Sequence, residues 1–366
     1  MTLNELIQIT SNSLAKRNPS SEFRNELSQL LTLYKRNLNN IDETEKEIIF
    51  PFNTQRDWDK LIRDISKLSE SIKISVREYY SGSISTSYEK IKNWMEGYRD
   101  YDGLLETSIS KYSIPCDTDL YRIRKNEKNK HFNPNEMFHI PYNKRGNIRT
   151  QRYSIPGYPC LYLSSTIYGC WEEMRKPSLA SFKVSRIRNI EEIDLFDLRI
   201  PSTSHIVQDD YIKILRIFPL IIACSIKVIN TDDTFKPEYI IPQIVLQIII
   251  KNRKTTGING VIYSSTQKNI EFSFNEENLL NNIAIPVFEN KSSGLCTILS
   301  KKFNITNPTS YEYELIRDPE GMVNGHVIDG GNASSQPDDP IPYNKTVFGL
   351  LQSRLLLQDL VSIEIT

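Results

Sequence analysis

The stretch that says most about the fold of this chain is Arg152-Tyr-Ser-Ile-Pro-Gly-Tyr-Pro-Cys-Leu-Tyr162-Leu-Ser-Ser-Thr-Ile-Tyr-Gly-Cys-Trp-Glu172-Glu173. It places an arginine, a Pro-Gly turn, a short apolar strand and an acidic helix within 22 residues. A strand that runs into a helix brings a cation, a phenol and one or two carboxylates towards one crevice. Guanidinium groups bind phosphate through paired hydrogen bonds, so this set of groups suits a ligand that carries both phosphate and sugar.

The composition is that of an ordinary globular protein. The 366 residues are 39% hydrophobic and 25% charged, and this length allows two domains at about 150 residues each. Equal numbers of basic and acidic residues (45 and 45) give zero net charge, which argues against a dedicated nucleic-acid binder. The first residues show no signal pattern, and the most apolar runs are shorter than the roughly 20 residues that span a bilayer. We therefore expect a cytoplasmic protein without a membrane partner.

The cysteines give no sign of a metal site or a disulfide framework. There are five of them, an odd number, and none forms a Cys-x-x-Cys motif. We expect buried, reduced thiols and no bound metal.

Residues 1–110 are predicted to form a helical N-terminal domain. Apolar residues recur at helical spacing, for example at Trp58, Leu61, Ile65 and Leu68. Three to five amphipathic helices would make a small bundle, and a start signal for one of them lies at Asn18. This region contains neither histidine nor cysteine, so we expect no chemistry in it.

From residue 111 the pattern changes to short strands that alternate with helices. The predicted strands are 119–124, 159–164, 179–184, 221–228 and 260–264. The predicted helices are 168–175 and 242–252, and a helix and a strand follow over 347–365. The fold class is therefore α+β, with one domain over 111–290 and a C-terminal extension over 291–366. The extension either completes the sheet or covers the site, and 329–340 is a loop by composition.

Four segments of this region carry a resemblance to a known family. They are Leu120–Arg124, Arg152–Glu173, Pro237–Gln243 and Gly257–Ser265. In this order they resemble the RES domain, a family named for its arginine, glutamate and serine, to which toxins of bacterial toxin–antitoxin pairs belong. The resemblance covers roughly residues 115–290.

Two of these segments depart from the family pattern. The chain has Gln-Arg-Tyr-Ser over 151–154 where the family prefers Gly-Arg-Trp-Asn, and Tyr-Ser-Ser over 263–265 where it prefers Tyr-Pro-Ser. The charged residues are kept, so these departures affect the register and leave the expected chemistry in place.

The resemblance implies a fold like that of ADP-ribosyltransferases, with mixed or antiparallel sheets, and an activity on NAD. NAD would be a substrate, split at the nicotinamide–ribose bond with phosphate or water as acceptor, and no cofactor would be needed. Such a protein would be a toxin or a phage-defence effector. Its expected partners are NAD, inorganic phosphate and an antitoxin protein, and a homo-oligomer stays open. The alternatives are a mono-ADP-ribosyltransferase and a catalytically idle binding module.

The resemblance also implies roles for individual residues. Catalytic roles fall to Arg122, Glu173 and Ser265, and substrate contacts fall to Arg152, Tyr162, Tyr121 and Glu172. A carboxylate would stabilise the cationic ribose that forms when nicotinamide leaves, and the two arginines would bind phosphate.

The adjacent carboxylates Glu172 and Glu173 cannot both face one site, because neighbours on a helix point about 100° apart. The spacing from Tyr162 favours Glu173, and Glu172 stays an alternative. His131 and His139 bracket an insert between the two arginines, for which a lid is one interpretation.

Overall fold

The computed structural model describes residues 1–16, 21–97, 103–105, 111–126, 131–201, 210–266, 280–319, 322 and 342–364. The chain divides into two compact units. The first comprises residues 1–112, 150–155 and 194–266, and the second comprises 113–149, 156–193 and 267–366. The units therefore interleave along the sequence, whereas the predicted domains were continuous stretches. The predicted boundaries at 110 and 290 stay a prediction.

The described residues form helices and strands in an α+β arrangement, as predicted. In chain order the helices are α1 (Leu3–Ala15), α2 (Phe23–Leu38), α3 (Glu43–Ile49), α4 (Thr54–Tyr80), α5 (Ile84–Glu96), α6 (Ile167–Glu173), α7 (Tyr211–Ser225), α8 (Ile240–Thr256), α9 (Thr297–Ser300), α10 (Tyr311–Arg317) and α11 (Val347–Leu356). The strands are β1 (Lys111–Ile114), β2 (Asp119–Lys125), β3 (Cys160–Ser164), β4 (Phe182–Asn189), β5 (Ile193–Leu198), β6 (Gly260–Ser264), β7 (Asn281–Pro286), β8 (Phe303–Thr306) and β9 (Leu360–Ser362).

The predicted N-terminal helices are confirmed in α1 to α5. In α4 the buried side is the predicted apolar stripe that includes Trp58, Leu61 and Ile65, as expected for an amphipathic helix. The predicted start signal at Asn18 lies outside the described residues. Among the described residues, the carboxylate of Glu22 caps α2.

The predicted strand over 221–228 is wrong, because α7 continues to Ser225. From Ile217 to its end every residue of α7 is buried, and a helix buried on all sides shows no amphipathic period. The ring of Tyr34 in α2 stacks on Phe218, with 5.0 Å between centroids.

Pro219 lies inside α7 and has no N–H to donate to the carbonyl of Leu215, four residues earlier. The hydroxyl of Tyr34 donates to that carbonyl instead, at 2.9 Å. The proline is thus accommodated because α2 supplies the missing donor.

The strands of the two units differ in direction. In the first unit β5 and β6 pair in parallel, with Leu195 opposite Gly260. In the second unit the strand order is β7-β3-β2-β4-β8-β9, and these pairs are antiparallel. The strands predicted at 119–124, 159–164 and 260–264 are confirmed. The one predicted at 179–184 begins only at Phe182, after a 3-10 turn.

Other expectations concern the cysteines, the membrane and the C-terminal region. Four cysteines are buried, but Cys116 is exposed, so the prediction of buried thiols is wrong there. Within the described residues, no helix combines the length and the apolar character needed to cross a membrane. The predicted helix and strand near the C-terminus are confirmed as α11 and β9. The loop predicted over 329–340 lies outside the described residues.

Candidate functional site

Arg122 lies in the middle of β2, the strand between β3 and β4. Successive residues of a strand point to opposite faces of the sheet. Tyr121 and Ile123 therefore share one face, where they join an apolar cluster with α6 and α11. Arg122 points to the other face, together with Ser185, its direct neighbour on β4.

The guanidinium group of Arg122 is half-buried and has few partners. Its Nη1 donates to the carbonyl of Tyr162 at 2.9 Å, and its buried Nε has no hydrogen-bond partner among the described residues. The buried hydroxyl of Ser185 also has none there. Burial lowers the pKa of Arg122, and no carboxylate in the described part of the chain forms an ion pair with it. Arg122 thus keeps donors that an anion can accept from.

The two tyrosines assigned to substrate contact differ in exposure. Tyr121 is 1% exposed inside the apolar cluster, so in this structure it is a core residue whose ring cannot touch a ligand. The same burial raises the pKa of its hydroxyl. Tyr162 is half-buried. It lies on the same face of β3 as Ser164, which is paired with Asn282 of β7.

Glu172 is a buried carboxylate with two partners. Its side chain is 2% exposed. The hydroxyl of Tyr168 donates to its Oε1 at 2.5 Å, and the ammonium of Lys176 lies 3.2 Å from the same oxygen. Buried charges are kept where they are paired and hydrogen-bonded, so the arrangement of Glu172 fits a structural anchor better than a ligand contact.

Glu173, at the last position of α6, is exposed. Its Oε1 accepts a hydrogen bond of 2.8 Å from the side-chain amide of Asn282. The spacing from Tyr162 favours Glu173 over Glu172, and Glu173 is also the accessible carboxylate of the two. Sequence reasoning missed Asn282. The available signal was an Asn-Asn pair opening an apolar strand, where asparagine is depleted.

Arg122 and Glu173 approach the sheet of the second unit from opposite faces. Glu173 contacts Asn282, which lies opposite Ser164 in the β3–β7 pair. Ser164 lies opposite Tyr121 in the β2–β3 pair, so these side chains share one face of the sheet. Both charges act on the buried thiol of Cys170. Burial raises the pKa of that thiol to about 12, Arg122 lowers it and Glu173 raises it. The structure places the two residues on opposite faces of the sheet and does not bring them into contact.

In the first unit Arg152 holds the end of α7. It donates to the carbonyls of Cys224 at 2.8 Å and Ile226 at 3.0 Å, and it is 8% exposed. The last carbonyls of a helix lack partners within the helix, and a cation there also opposes the helix dipole. The guanidinium group lies 5.3 Å from the centroid of the Tyr239 ring, at the start of α8.

Arg152 contacts two other parts of the chain that lie in, or directly after, segments that carry the resemblance. It donates to the hydroxyl of Thr266 at 3.1 Å, beside Ser265, which is itself buried. The amide of Gln243 in turn donates to the carbonyl of Gln151 at 3.1 Å. The segments around residues 152, 239–243 and 265, far apart in the chain, thus form one contact network within the first unit.

His139 is held by two hydrogen bonds in the insert between the two arginines. Its Nδ1 lies 2.9 Å from the carbonyl of Ile140, and its Nε2 accepts from the backbone N–H of Cys296 at 2.9 Å. Burial, together with repulsion by Arg122 and Lys291, lowers its pKa to about 4. This histidine is neutral, and its ring nitrogens are engaged with the backbone. Within the described residues, no group of histidine, cysteine or acidic side chains could hold a metal ion.

A comparison with curated proteins finds a relative. Over 316 residues the chain is 32% identical to the protein of Bacillus subtilis (strain 168) named "Putative toxin YopC". The alignment covers 81% of this chain and 69% of the relative. No family model matches the chain, and no solved structure matches it.

Proposed function

The chain belongs to the family of the Bacillus subtilis protein named "Putative toxin YopC", and on that premise we propose that it is a toxin that degrades NAD through a RES domain. The proposed reaction breaks the bond between nicotinamide and ribose and transfers ADP-ribose to phosphate or water. In this proposal the domain has an ADP-ribosyltransferase-like fold, and an antitoxin protein is its expected partner.

The contact network around Arg152 is the observation that supports the proposal most. The RES pattern rests on residues spread over more than a hundred positions, and chance matches would have no reason to meet in space. Arg152 contacts both Tyr239 and Thr266, which lie in the third of the four segments and directly after the fourth. Two of the four segments, and the residue directly after another, are therefore in contact, which supports the proposal.

Glu173 is the carboxylate to which we assign the chemistry. Nicotinamide leaves NAD as a neutral molecule from a cationic state, so no general acid is required. The ribose left behind carries the positive charge, and an exposed carboxylate fixed in direction stabilises it. Tyr162 lies on the same face of the sheet as the partner of Glu173 and offers a flat ring to ribose or nicotinamide. Arg122 lies on the opposite face of this sheet and offers donors to an anion there, so the phosphate contact proposed for it is separate from the ribose contact.

The test is to incubate the purified protein with NAD, with and without inorganic phosphate, and to measure nicotinamide by chromatography. We expect release by the wild type, with ADP-ribose phosphate as the second product if phosphate is the acceptor. The adjacent carboxylates give matched variants. Glu173→Gln is expected to lower kcat at least a hundredfold. Glu172→Gln keeps an acceptor for Tyr168 and is expected to stay within about tenfold of the wild type, as a loss of anchoring allows.

The outcomes separate the rival functions. Labelled NAD that ends on a protein or nucleic acid would identify a mono-ADP-ribosyltransferase. A folded protein that releases no nicotinamide with any acceptor would be a binding module, and the proposal of an NAD-degrading enzyme would then be wrong.

A further inference from the structure

Asn282 holds the carboxylate of Glu173 from a buried position in β7. The donating amide belongs to a side chain that is 3% exposed, whereas the accepting glutamate is exposed. A buried amide is costly unless its hydrogen bonds are made. The bond to Glu173 is therefore part of what allows an asparagine at this buried position, before the apolar part of the strand.

The backbone that carries Asn282 is fixed to the end of β3. Ser164 stands directly opposite Asn282 in the strand pair. Its hydroxyl donates to the carbonyl of Asn281 at 3.0 Å, and the backbone N–H of Ser165 donates to the same carbonyl at 3.0 Å. The amide that reaches Glu173 thus starts from a backbone held by both main-chain and side-chain bonds.

The helix that carries Glu173 is fixed at both ends. At its start, the hydroxyl of Thr166 accepts from the backbone N–H of Gly169 at 3.0 Å. At its end, Glu172 is bound by Tyr168 and Lys176.

The turn that follows α6 adds a further constraint. Arg175 and Lys176 both adopt left-handed backbone conformations, with φ of 63° and 51°, which cost energy for residues other than glycine. Such conformations persist where the surroundings fix them. The indole N–H of Trp171 donates to the carbonyl of Pro177 at 2.7 Å and closes the turn.

We propose that Asn282 is a positioning residue that sets the direction of the Glu173 carboxylate. The inference rests on the proposed function, because it concerns the carboxylate to which we assign stabilisation of the ribose cation. A carboxylate at the end of a flexible side chain loses stabilising effect when it turns away from the developing charge, and a donor on one oxygen limits that rotation.

The test compares steady-state NAD turnover of Asn282→Leu and Asn282→Asp with the wild type. Leucine has the same branched heavy-atom shape but no N–H, and we expect kcat to fall about tenfold to hundredfold with KM within about threefold. Aspartate adds a like charge beside Glu173, and we expect a lower kcat and an acid limb of the pH profile moved to higher pH. The control is Asn304→Leu at a half-buried polar position of β8, expected to stay within about twofold because Asn304 has no role in the proposed site.

The outcomes are distinct for the two claims. A wild type that turns over NAD while the Asn282 variants match it in kcat and in pH profile would overturn the positioning role alone. A loss that appears only in KM would overturn that role as well. A wild type without any turnover would overturn the proposed function and this inference together. Thermal unfolding identifies a variant that does not fold. If Asn282→Leu fails there, the pH profile of the isosteric Asn282→Asp decides.

Discussion

Arg122 and Arg152 lie in two regions that use a guanidinium group differently. Arg152 donates to two carbonyls at the end of α7 and to a hydroxyl, so its donors are used to hold the first unit together. Arg122 makes one bond to a strand carbonyl and keeps a buried Nε without a partner among the described residues. Both arginines are expected to bind phosphate, but their hydrogen-bond donors are not equally available. Arg152 is built into the architecture, and Arg122 keeps donors for an anion.

The largest effect is expected from Arg152→Ala. The substitution leaves the carbonyls of Cys224 and Ile226 without their donor in a buried region, and each unpaired group costs roughly 1–3 kcal/mol. We expect the free energy of unfolding to fall by about 4 kcal/mol, measured by urea denaturation. Arg152→Lys can replace one bond at most and should recover less than half of the loss. If the free energy of unfolding fell by less than about 1 kcal/mol, Arg152 would contribute no more to stability than is expected of Arg122, and the two regions would not differ in this respect.

The next effect concerns His139, which the charge of Arg122 helps to keep neutral. The folded pKa is about 4 and the ordinary value is about 6.5. Between these values the unfolded chain binds a proton that the folded chain does not, so stability falls as pH drops through this window. The difference corresponds to about 3 kcal/mol.

This pH dependence can be assigned by comparing two histidine variants. His139→Gln should lose the part of the stability change between pH 6.5 and about 4 that belongs to this side chain, measured by denaturation at a series of pH values. His131→Gln is the matched control, because His131 is exposed in the same insert. Arg122→Met should shrink the effect by removing a repelling charge. Identical curves for wild type and His139→Gln would contradict the assignment.

The smallest effect on stability is expected from Arg122→Met. Methionine fills similar space, and the substitution removes one hydrogen bond together with a half-buried cation that has no acidic partner in the described residues. We expect the free energy of unfolding to change by less than about 1 kcal/mol. The KM for NAD should rise about tenfold to hundredfold through the loss of charge-assisted bonds. An unchanged KM would assign Arg122 to strand pairing.

Much of the fold could be predicted wherever one side of an element faces water. The stripe of α4 and the strands around Arg122 and Tyr162 have a period that burial on one side imposes. The same reasoning fails for α7, which is buried along its second half and keeps no period, so its β-branched residues suggested a strand. The turn over 179–181 was missed because a 3-10 turn before a strand changes no hydrophobic pattern.

The candidate site shows the same limit. Spacing along a helix could favour Glu173 over Glu172, since helical geometry is local. The contacts of Glu172 with Tyr168 and Lys176 are local as well. The burial of Glu172, which makes it a structural residue, depends on the elements that pack over α6. Asn282 depends on the register between β3 and β7, two strands more than a hundred residues apart. The residue pattern within either strand does not predict that register.

The hydroxyl of Tyr34 that serves the carbonyl of Leu215 links the N-terminal helices to a segment far along the sequence. Without that donor the carbonyl of Leu215, which cannot bond to Pro219, would lose this hydrogen bond. A chain that began at residue 111 would lack α2, which carries this donor, and would expose to water the part of α7 that α2 covers. The N-terminal helices are therefore part of the packing of the first unit and share its stability.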